Sequence, residues 1–472
     1  MTTENAPLSD AFLQRVEREL GTATRLTDPG ECWSYGYDNS RRQSLPDLVV
    51  LPEEHAEVAT LARLCHEFRV PLTGRGRGTG TTGAAVAEAG GVVLSFERMD
   101  RIRAIEPGDR YLVCEPGVTN QAVQAAAAEH GFFWPPDPTS AAFCTVGGNL
   151  AYNSAGPRAV KYGTPRENTL GLCAVTGTGE ALRTGVRTSK GVVGYDLTRL
   201  LIGSEGTLGL ITEATLRLQP QPEATTTFKA VYRDMGAAAR AVSRIMAQPV
   251  VPSALEFIDH RAIEMVRNYA EADLPEGAGA LLMIEVDGPA ACLAAASDAV
   301  AAAARGTAAD RDALLSLDQA TEKAEVAALW ATRKALSPAL RQVAPKKINE
   351  DVVVPVTRMP ELIDGLDRLA ERFGITIVNF GHAGNGNIHV NLLVDPDDPD
   401  EMARADHCLD AVFDLVLGLG GSLSGEHGVG LEKRDFVDRE IAAPTLELMA
   451  GLRTCFDPAG ILNPGKGFPA PT

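Results

Sequence analysis

The sequence has no excess of basic charge and no long apolar segment. Its 44 Lys and Arg residues face 62 Asp and Glu residues, so the formal net charge is −18. This balance argues against nucleic acid or an anionic membrane as the main partner. No run approaches the ~18 apolar residues of a membrane span, and the N-terminus does not resemble a signal peptide. We therefore expect no integral membrane segment.

Paired cysteines are also missing. The eight cysteines are scattered without a CxxC pair, which argues against a disulfide framework or a zinc knuckle. Reduced thiols are typical of a cytoplasmic protein, and the cytoplasm is the expected location. No internal repeat is visible. A chain of 472 residues exceeds one ordinary core, so two or three domains are expected.

A glycine-rich loop follows the first predicted strand–helix–strand unit. It contains a literal GxGxxG at Gly78, Gly80 and Gly83. Only residues 84–90 separate the last glycine from the next predicted strand, residues 91–95, whereas a crossover helix needs at least ~10–12 residues. This context excludes a Rossmann dinucleotide fold. What remains is either an ordinary turn or a loop rich in backbone N–H groups that can wrap a pyrophosphate.

Small residues dominate two further stretches, 144–156 and 203–212. In such stretches the backbone can press flat against a ligand ring. The sequence Gln219-Pro220-Gln221-Pro222 then marks a domain boundary, because its prolines interrupt regular structure.

Two histidines flank a predicted tight turn in the second half of the chain. The stretch VNFGHAGNGNIHVNLL, residues 378–393, reads as strand, turn and strand, with His382 and His389 beside the turn. His389 and Asn391 share a strand face, and a glycine-rich cluster downstream contains Glu426 and His427. Two histidines with a carboxylate form a common divalent-metal set, and a third imidazole can serve as a base. A hairpin turn and a glycine-rich loop with satisfied polar residues are the alternative.

Taken in order, the motifs resemble flavoproteins of the vanillyl-alcohol oxidase type. Within that family they are similar to the D-2-hydroxyacid dehydrogenases: D-lactate dehydrogenase, D-2-hydroxyglutarate dehydrogenase and the glycolate oxidase flavin subunit. The resemblance runs from about Pro46 to Lys466. The motifs that carry it are the glycine loop, GGNLAYNSAG, GSEGTLGLIT, the two-histidine stretch, SGEHGVG and LNPGK.

The resemblance implies an α+β fold with three parts. An FAD-binding domain would span residues 1–222, with α/β subdomains at about 44–100 and 101–222. A substrate (cap) domain with the metal site would span 223–430, and a helical tail, 431–472, would return to the flavin.

The resemblance also implies an FAD site. Its residues would be Arg75, Gly76, Arg77, Gly78, Thr79 and Gly80 around the pyrophosphate; Pro138, Thr139, Thr145, Gly148, Asn149 and Ser154 around the phosphates, ribityl chain and ring; Glu205, Gly206 and Ile211 toward the adenine; and Asn463 near the isoalloxazine. Arg77 stands where relatives often have a small residue. No histidine occupies the position of covalent attachment, so non-covalent FAD is expected.

The same resemblance assigns His382, His389 and Glu426 as ligands of a divalent metal, with zinc the best fit to the mixed nitrogen–oxygen set. His427 would accept the hydroxyl proton of a 2-hydroxyacid, and its C2 hydride would pass to flavin N5. Arg333 would hold the carboxylate, with Lys347 as a helper and Asn391 orienting the substrate or a ligand. Without the resemblance, Arg333 reads as a surface residue of a predicted helix.

D-Lactate is the first expectation for the substrate. D-2-hydroxyglutarate and glycolate remain alternatives, as does a non-catalytic flavin-binding subunit of a larger oxidase. The electron acceptor would be a quinone, a cytochrome or an electron-transfer flavoprotein. The oligomeric state is not readable from the sequence, and a homodimer is a fair expectation.

Overall fold

The structure is a computed structural model. It describes residues 7–469 except 22, 189, 270–273, 308–309, 311–312, 331–335, 337–339 and 341–343. Among the described residues, no helix is both long enough and apolar enough to cross a membrane.

Helices and strands alternate along the chain. The strands are β1 Thr24–Leu26, β2 Leu48–Leu51, β3 Leu72–Arg75, β4 Val92–Ser95, β5 Ile102–Glu106, β6 Tyr111–Cys114, β7 Phe132–Phe133, β8 Thr169–Val175, β9 Ala181–Gly185, β10 Leu210–Arg217, β11 Gln219–Pro220, β12 Ala224–Tyr232, β13 Ala254–Asp259, β14 Ala280–Gly288, β15 Leu314–Ala320, β16 Lys346–Val353, β17 Thr376–His382 and β18 Asn387–Val394. The α-helices are α1 Asp10–Glu19, α2 Pro29–Cys32, α3 His55–Phe68, α4 Asn120–Ala128, α5 Val146–Tyr152, α6 Ala159–Tyr162, α7 Leu197–Leu201, α8 Met235–Met246, α9 His260–Tyr269, α10 Ala290–Arg305, α11 Met359–Phe373, α12 Pro399–Gly418, α13 Val437–Glu440 and α14 Ala443–Phe456.

The chain divides into two compact units. The first contains residues 1–156, 163–221 and 426–472, and the second contains residues 157–162 and 222–425. The predicted boundaries at residues 222 and 430 stay a prediction.

The first unit contains two larger sheets and a two-stranded one. The four-stranded sheet has the order β1-β2-β4-β3, in which β2 and β3 run parallel to β4. Every residue of β2 and β4 is buried, as expected for apolar strands covered on both faces. The five-stranded sheet, β5-β6-β10-β8-β9, is antiparallel, and a second core forms around the fully buried Trp134.

The C-terminal segment is an integral part of the first unit. Leu462 bridges Leu72 of β3 in parallel, and the Asn463 N–H donates to the Leu72 carbonyl at 2.9 Å. Ile461 and Leu462 are buried in the same core as β2 and β3. The end of the described chain is therefore tied to the strand that leads into the glycine loop.

The second unit is built on a seven-stranded antiparallel sheet of order β15-β12-β14-β13-β17-β18-β16. The predicted hairpin is confirmed as β17 and β18, joined by the 3-10 turn Ala383–Asn385. Gly386 closes the turn with φ +70°, and a Cβ atom there would lie 2.0 Å from the Val354 carbonyl oxygen, so the turn requires glycine. The helix predicted over residues 322–337 falls partly outside the described residues.

Candidate active site

The glycine loop begins where β3 ends, at Arg75, and it is packed too closely to accept side chains. A Cβ atom on Gly76 would lie 2.5 Å from Thr145 Oγ1, and one on Gly80 would lie 2.6 Å from the Tyr152 hydroxyl. Gly78 has a φ of +64°, which L-residues rarely adopt. The glycines therefore allow this loop to pack closely against Thr145 and Tyr152 of the α5 segment.

The two loop arginines differ from each other. Arg75 is buried, and its guanidinium donates to the carbonyls of Tyr37 at 2.7 Å and Ser34 at 3.2 Å. Burial lowers the pKa of Arg75, although nearby Asp38 opposes the shift. Arg77, in contrast, is exposed. The charge of Arg75 thus shapes the loop, whereas that of Arg77 faces outward.

A short helix start lies beside this loop. Thr145 caps α5 by accepting a hydrogen bond from the Gly148 N–H at 3.2 Å, and Asn149 is buried in the first turn. Ser154 donates to the Glu426 carbonyl at 3.4 Å within the same unit. The other predicted positions of this region, Pro138 and Thr139, are respectively half-buried and exposed.

Glu205 binds the main chain of the last segment. Its carboxylate accepts from the N–H groups of Val429 at 2.6 Å and Gly430 at 2.8 Å, while burial raises its pKa. The resemblance implies a position near the adenine for this residue. In the structure, its side chain contacts the main chain of residues 429–430. Gly206 follows with φ +72°, and Ile211 is buried in β10.

Asn463 presents a buried oxygen. Its side-chain N–H groups donate to the carbonyls of Glu205 at 2.7 Å and Ala84 at 2.9 Å. Its Oδ1 is buried and accepts no hydrogen bond from any described residue. Such an orphaned acceptor is expected where a bound group supplies the donor.

The predicted histidines share one face of the large sheet. In the β17–β18 register His382 pairs with Asn387, Phe380 with His389, and Val378 with Asn391. Directly paired residues point to the same side of a sheet, so both histidines and Asn391 lie on one face. The imidazole centroids are 5.2 Å apart, and the rings are nearly perpendicular.

Neighbouring strands add carboxylates to this face. Glu256 of β13 pairs with His382, and its carboxylate contacts His382 Nδ1 in a short hydrogen bond. Asp351 of β16 pairs with His389 and accepts from the Gly425 N–H at 2.9 Å and the Ser424 hydroxyl at 3.1 Å. Sequence reasoning missed both acids. The only local signal for Glu256 is an acidic residue between Leu255 and Phe257 in a mostly apolar strand, whereas Asp351 follows Glu350 in the largely polar strand β16 and has no such signal.

Of the other residues predicted to contact the substrate, two lie on the large sheet and one lies outside the described residues. Asn391 is fully buried and donates to the carbonyls of His389 at 2.9 Å and Val378 at 3.0 Å, while its Oδ1 accepts no hydrogen bond from any described residue. Lys347 lies on β16 opposite Leu393, on the face of His389. Arg333 lies outside the described residues.

Glu426 and His427 open the last segment of the first unit, directly after Gly425. Glu426 accepts from the Gly156 N–H at 2.8 Å, and the His427 carbonyl accepts from the Thr82 hydroxyl at 3.3 Å. The roles assigned to these two residues stay predictions.

Known proteins resemble this chain in fold and in sequence. Residues 46–185 match the model of an FAD binding domain, and residues 221–467 match the C-terminal domain of FAD-linked oxidases. The structure of p-cresol methylhydroxylase with substrate bound superposes with a TM-score of 0.79 at 17% identity, covering 97% of each chain. This defines a flavoprotein with the vanillyl-alcohol oxidase-type α+β fold, as predicted.

The sequence relatives narrow the class. The chain is 38% identical to the glycolate oxidase subunit GlcD of Bacillus subtilis over 435 residues, covering 92% of each protein. It is 33% identical to a probable mitochondrial D-lactate dehydrogenase of Danio rerio, covering 92% of this chain and 86% of that protein. The chain therefore belongs to the FAD-linked oxidases and is an FAD-dependent oxidoreductase, which confirms the predicted group.

The residues of the first unit fit FAD. The loop glycines have no room for side chains, so at these positions only main-chain groups can contact phosphates, and no described residue donates to Asn463 Oδ1. A flavin ring carries an N–H group that suits such an acceptor.

Proposed function

We propose that this protein oxidises a D-2-hydroxyacid to the 2-oxoacid with non-covalent FAD, and that D-lactate is the first substrate to test. The supporting observation is the polar face of the second unit's sheet, where His382, His389 and Asn391 stand together. Relatives named D-lactate dehydrogenase and glycolate oxidase subunit, each matched over most of their length, support a 2-hydroxyacid as the substrate class. Bound FAD would supply a hydride acceptor at N5.

The proposed metal ligands are His382, His389 and Glu426, a group of residue types that suits a divalent ion. Zinc fits this set best, because imidazole and carboxylate donors are both acceptable to it. A bound zinc ion would lower the pKa of the C2 hydroxyl of the substrate.

The chain's own residues would do the remaining work. His427 would accept the proton of the C2 hydroxyl, since a neutral imidazole nitrogen can act as a general base. Arg333 would bind the substrate carboxylate with its two-pronged guanidinium, and Lys347 would help it. Asn391, with a buried oxygen that lacks a donor among the described residues, would orient the substrate or a ligand.

Two further substrates fit the same site. D-2-hydroxyglutarate would need a second cationic contact, for which Lys346, Lys347 and Arg341 are candidates. Glycolate is favoured by the name of the Bacillus subtilis relative, in which case the chain would be the flavin subunit of a larger oxidase. A non-catalytic subunit is less well supported, because it would not need the histidine face.

The electron acceptor would be a quinone, a cytochrome or an electron-transfer flavoprotein. The protein would act in the cytoplasm, and a homodimer is the simplest assembly.

Anaerobic stopped-flow bleaching of the flavin absorbance tests this function. The purified protein would be mixed with D- and L-lactate, D-2-hydroxyglutarate, glycolate and D-mandelate, with and without a chelator. We expect one D-acid or glycolate to bleach the flavin quickly, the chelator to abolish the reaction and zinc to restore it. A yellow protein that none of these acids reduces would refute the catalytic proposal.

The base is tested by His427→Ala. Loss of a general base typically costs about 10²- to 10⁴-fold, so we expect flavin reduction to slow by roughly a thousand-fold while FAD stays bound. The exposed His407 on α12 provides the control substitution, His407→Ala. A wild-type reduction rate in His427→Ala would eliminate His427 as the base.

A further inference from the structure

One carboxylate beside the proposed metal ligands has no role in the chemistry above. Glu256 lies in β13, whose register places it opposite His382 of β17. Its carboxylate accepts a hydrogen bond at His382 Nδ1, and the two residues are 1% and 6% exposed. The contact joins residues 126 positions apart. It is therefore a product of the sheet and not of local sequence.

The fold alone gives no reason for an acid at this position. Its neighbours Leu255, Phe257 and Ile258 are almost completely buried, as is every residue of β13. A buried carboxylate costs several kcal/mol in desolvation unless a partner compensates it. An apolar residue would complete the strand at a lower cost.

We propose that Glu256 is a positioning residue for the metal ligand His382. By accepting at Nδ1, the carboxylate keeps the proton on that nitrogen and leaves the lone pair on Nε2, the nitrogen that would bind the metal. It also fixes the ring orientation and increases the basicity of the ligand. This inference rests on the proposed metal site.

The first test measures metal affinity. Zinc binding to the FAD-loaded protein would be followed by competition with a chromophoric chelator in wild type, Glu256→Gln and Glu256→Asp. Loss of such an outer carboxylate typically weakens metal binding by about 10- to 100-fold. We expect that loss in Glu256→Gln and a smaller one in Glu256→Asp, which keeps the charge. Unchanged affinity in Glu256→Gln would overturn the proposal.

Glu285 offers a matched control. It lies on the adjacent strand β14 opposite Ala254, on the same face of the sheet, and its carboxylate accepts from the Ser253 hydroxyl at 3.4 Å. Glu285→Gln removes an acid from this face without touching a histidine. We expect its zinc affinity to match wild type. An equal loss in both variants would show a general effect of charge and refute the positioning role.

A second test does not depend on metal. In metal-free, ¹⁵N-histidine-labelled protein, NMR distinguishes the two tautomers of a neutral imidazole. The His382 signal is identified by its absence in His382→Ala. We expect the His382 proton on Nδ1. A proton on Nε2 would overturn the role of Glu256. If the wild-type protein bound no zinc, the metal site would be refuted, and the tautomer measurement would still test whether Glu256 holds the proton on Nδ1 of His382.

Discussion

The glycine loop of the first unit and the histidine face of the second unit use opposite chemical means. The loop offers main-chain groups at its glycines, and its buried Arg75 turns toward the carbonyls of Tyr37 and Ser34. The histidine face offers side chains on four adjacent strands, whose main-chain groups form the hydrogen bonds of the sheet. A cofactor with phosphates and a flat ring suits the first arrangement, and acid–base or metal chemistry suits the second.

The comparison predicts that damage to one region spares the function of the other. His382→Ala should remove the metal and slow flavin reduction by the hydroxyacid by about a thousand-fold, since a metal contributes several kcal/mol to such a step. FAD content should not change, because the glycine loop lies in the other unit. Metal analysis, the flavin absorbance ratio and stopped-flow reduction measure the three quantities.

His407→Ala is the control for this variant, because it removes an exposed imidazole from the same unit. We expect it to behave as wild type in all three measurements. Metal content that is unchanged in His382→Ala would contradict the ligand assignment. A loss of FAD would contradict the independence of the two regions.

A glycine substitution in the loop should have the opposite effect: it should weaken FAD binding and leave zinc binding unchanged. A Cβ atom at Gly76 would lie 2.5 Å from Thr145 Oγ1, so Gly76→Ala must displace the loop or the start of α5. Such overpacking typically costs about 2 kcal/mol, and we expect FAD to bind roughly 30-fold more weakly. Zinc affinity should remain at the wild-type value. Titration of the apoprotein with FAD measures the first effect.

Gly108→Ala serves as the matched control. Gly108 lies in the same unit, its φ is not positive, and a Cβ atom there would meet nothing within 4 Å. Its FAD affinity should equal that of wild type. If Gly76→Ala also bound FAD normally, the close packing of the loop would not be what shapes the cofactor site.

The two regions also differ in how far the sequence predicts them. The Asn-Gly turn with β-prone flanks predicted the β17–β18 hairpin, and the spacing after Gly83 excluded a Rossmann helix. Both are local signals. Glu256 and Asp351 could not be assigned, because their positions depend on the pairing of β13 with β17 and of β16 with β18. The direction of the Arg75 side chain was equally unreadable, since it depends on carbonyls about 40 residues earlier.

The smallest predicted effect is on the pH dependence of stability, and it comes from the buried ammonium group of Lys466 in the first unit. Lys466 is fully buried, and its ammonium donates to the Val86 carbonyl at 2.6 Å. Desolvation lowers its pKa to about 8. Above that pH the folded protein releases a proton that the unfolded chain, with an ordinary lysine pKa near 10.5, still holds, so unfolding becomes less favourable as the pH rises. The contribution amounts to about 1 kcal/mol between about pH 8 and pH 9.

Lys466→Met should remove this pH dependence, whereas Lys190→Met, at an exposed position of the same unit, should keep it. Urea unfolding of the FAD-loaded proteins at several pH values would give the difference in slope between each variant and wild type. The comparison between variants cancels the other titrating groups. Parallel slopes for Lys466→Met and wild type would mean that Lys466 titrates normally. Its amine would then be hydrated in solution, and the end of the chain would be less tightly bound to the segment after the glycine loop than the buried contact with Val86 implies.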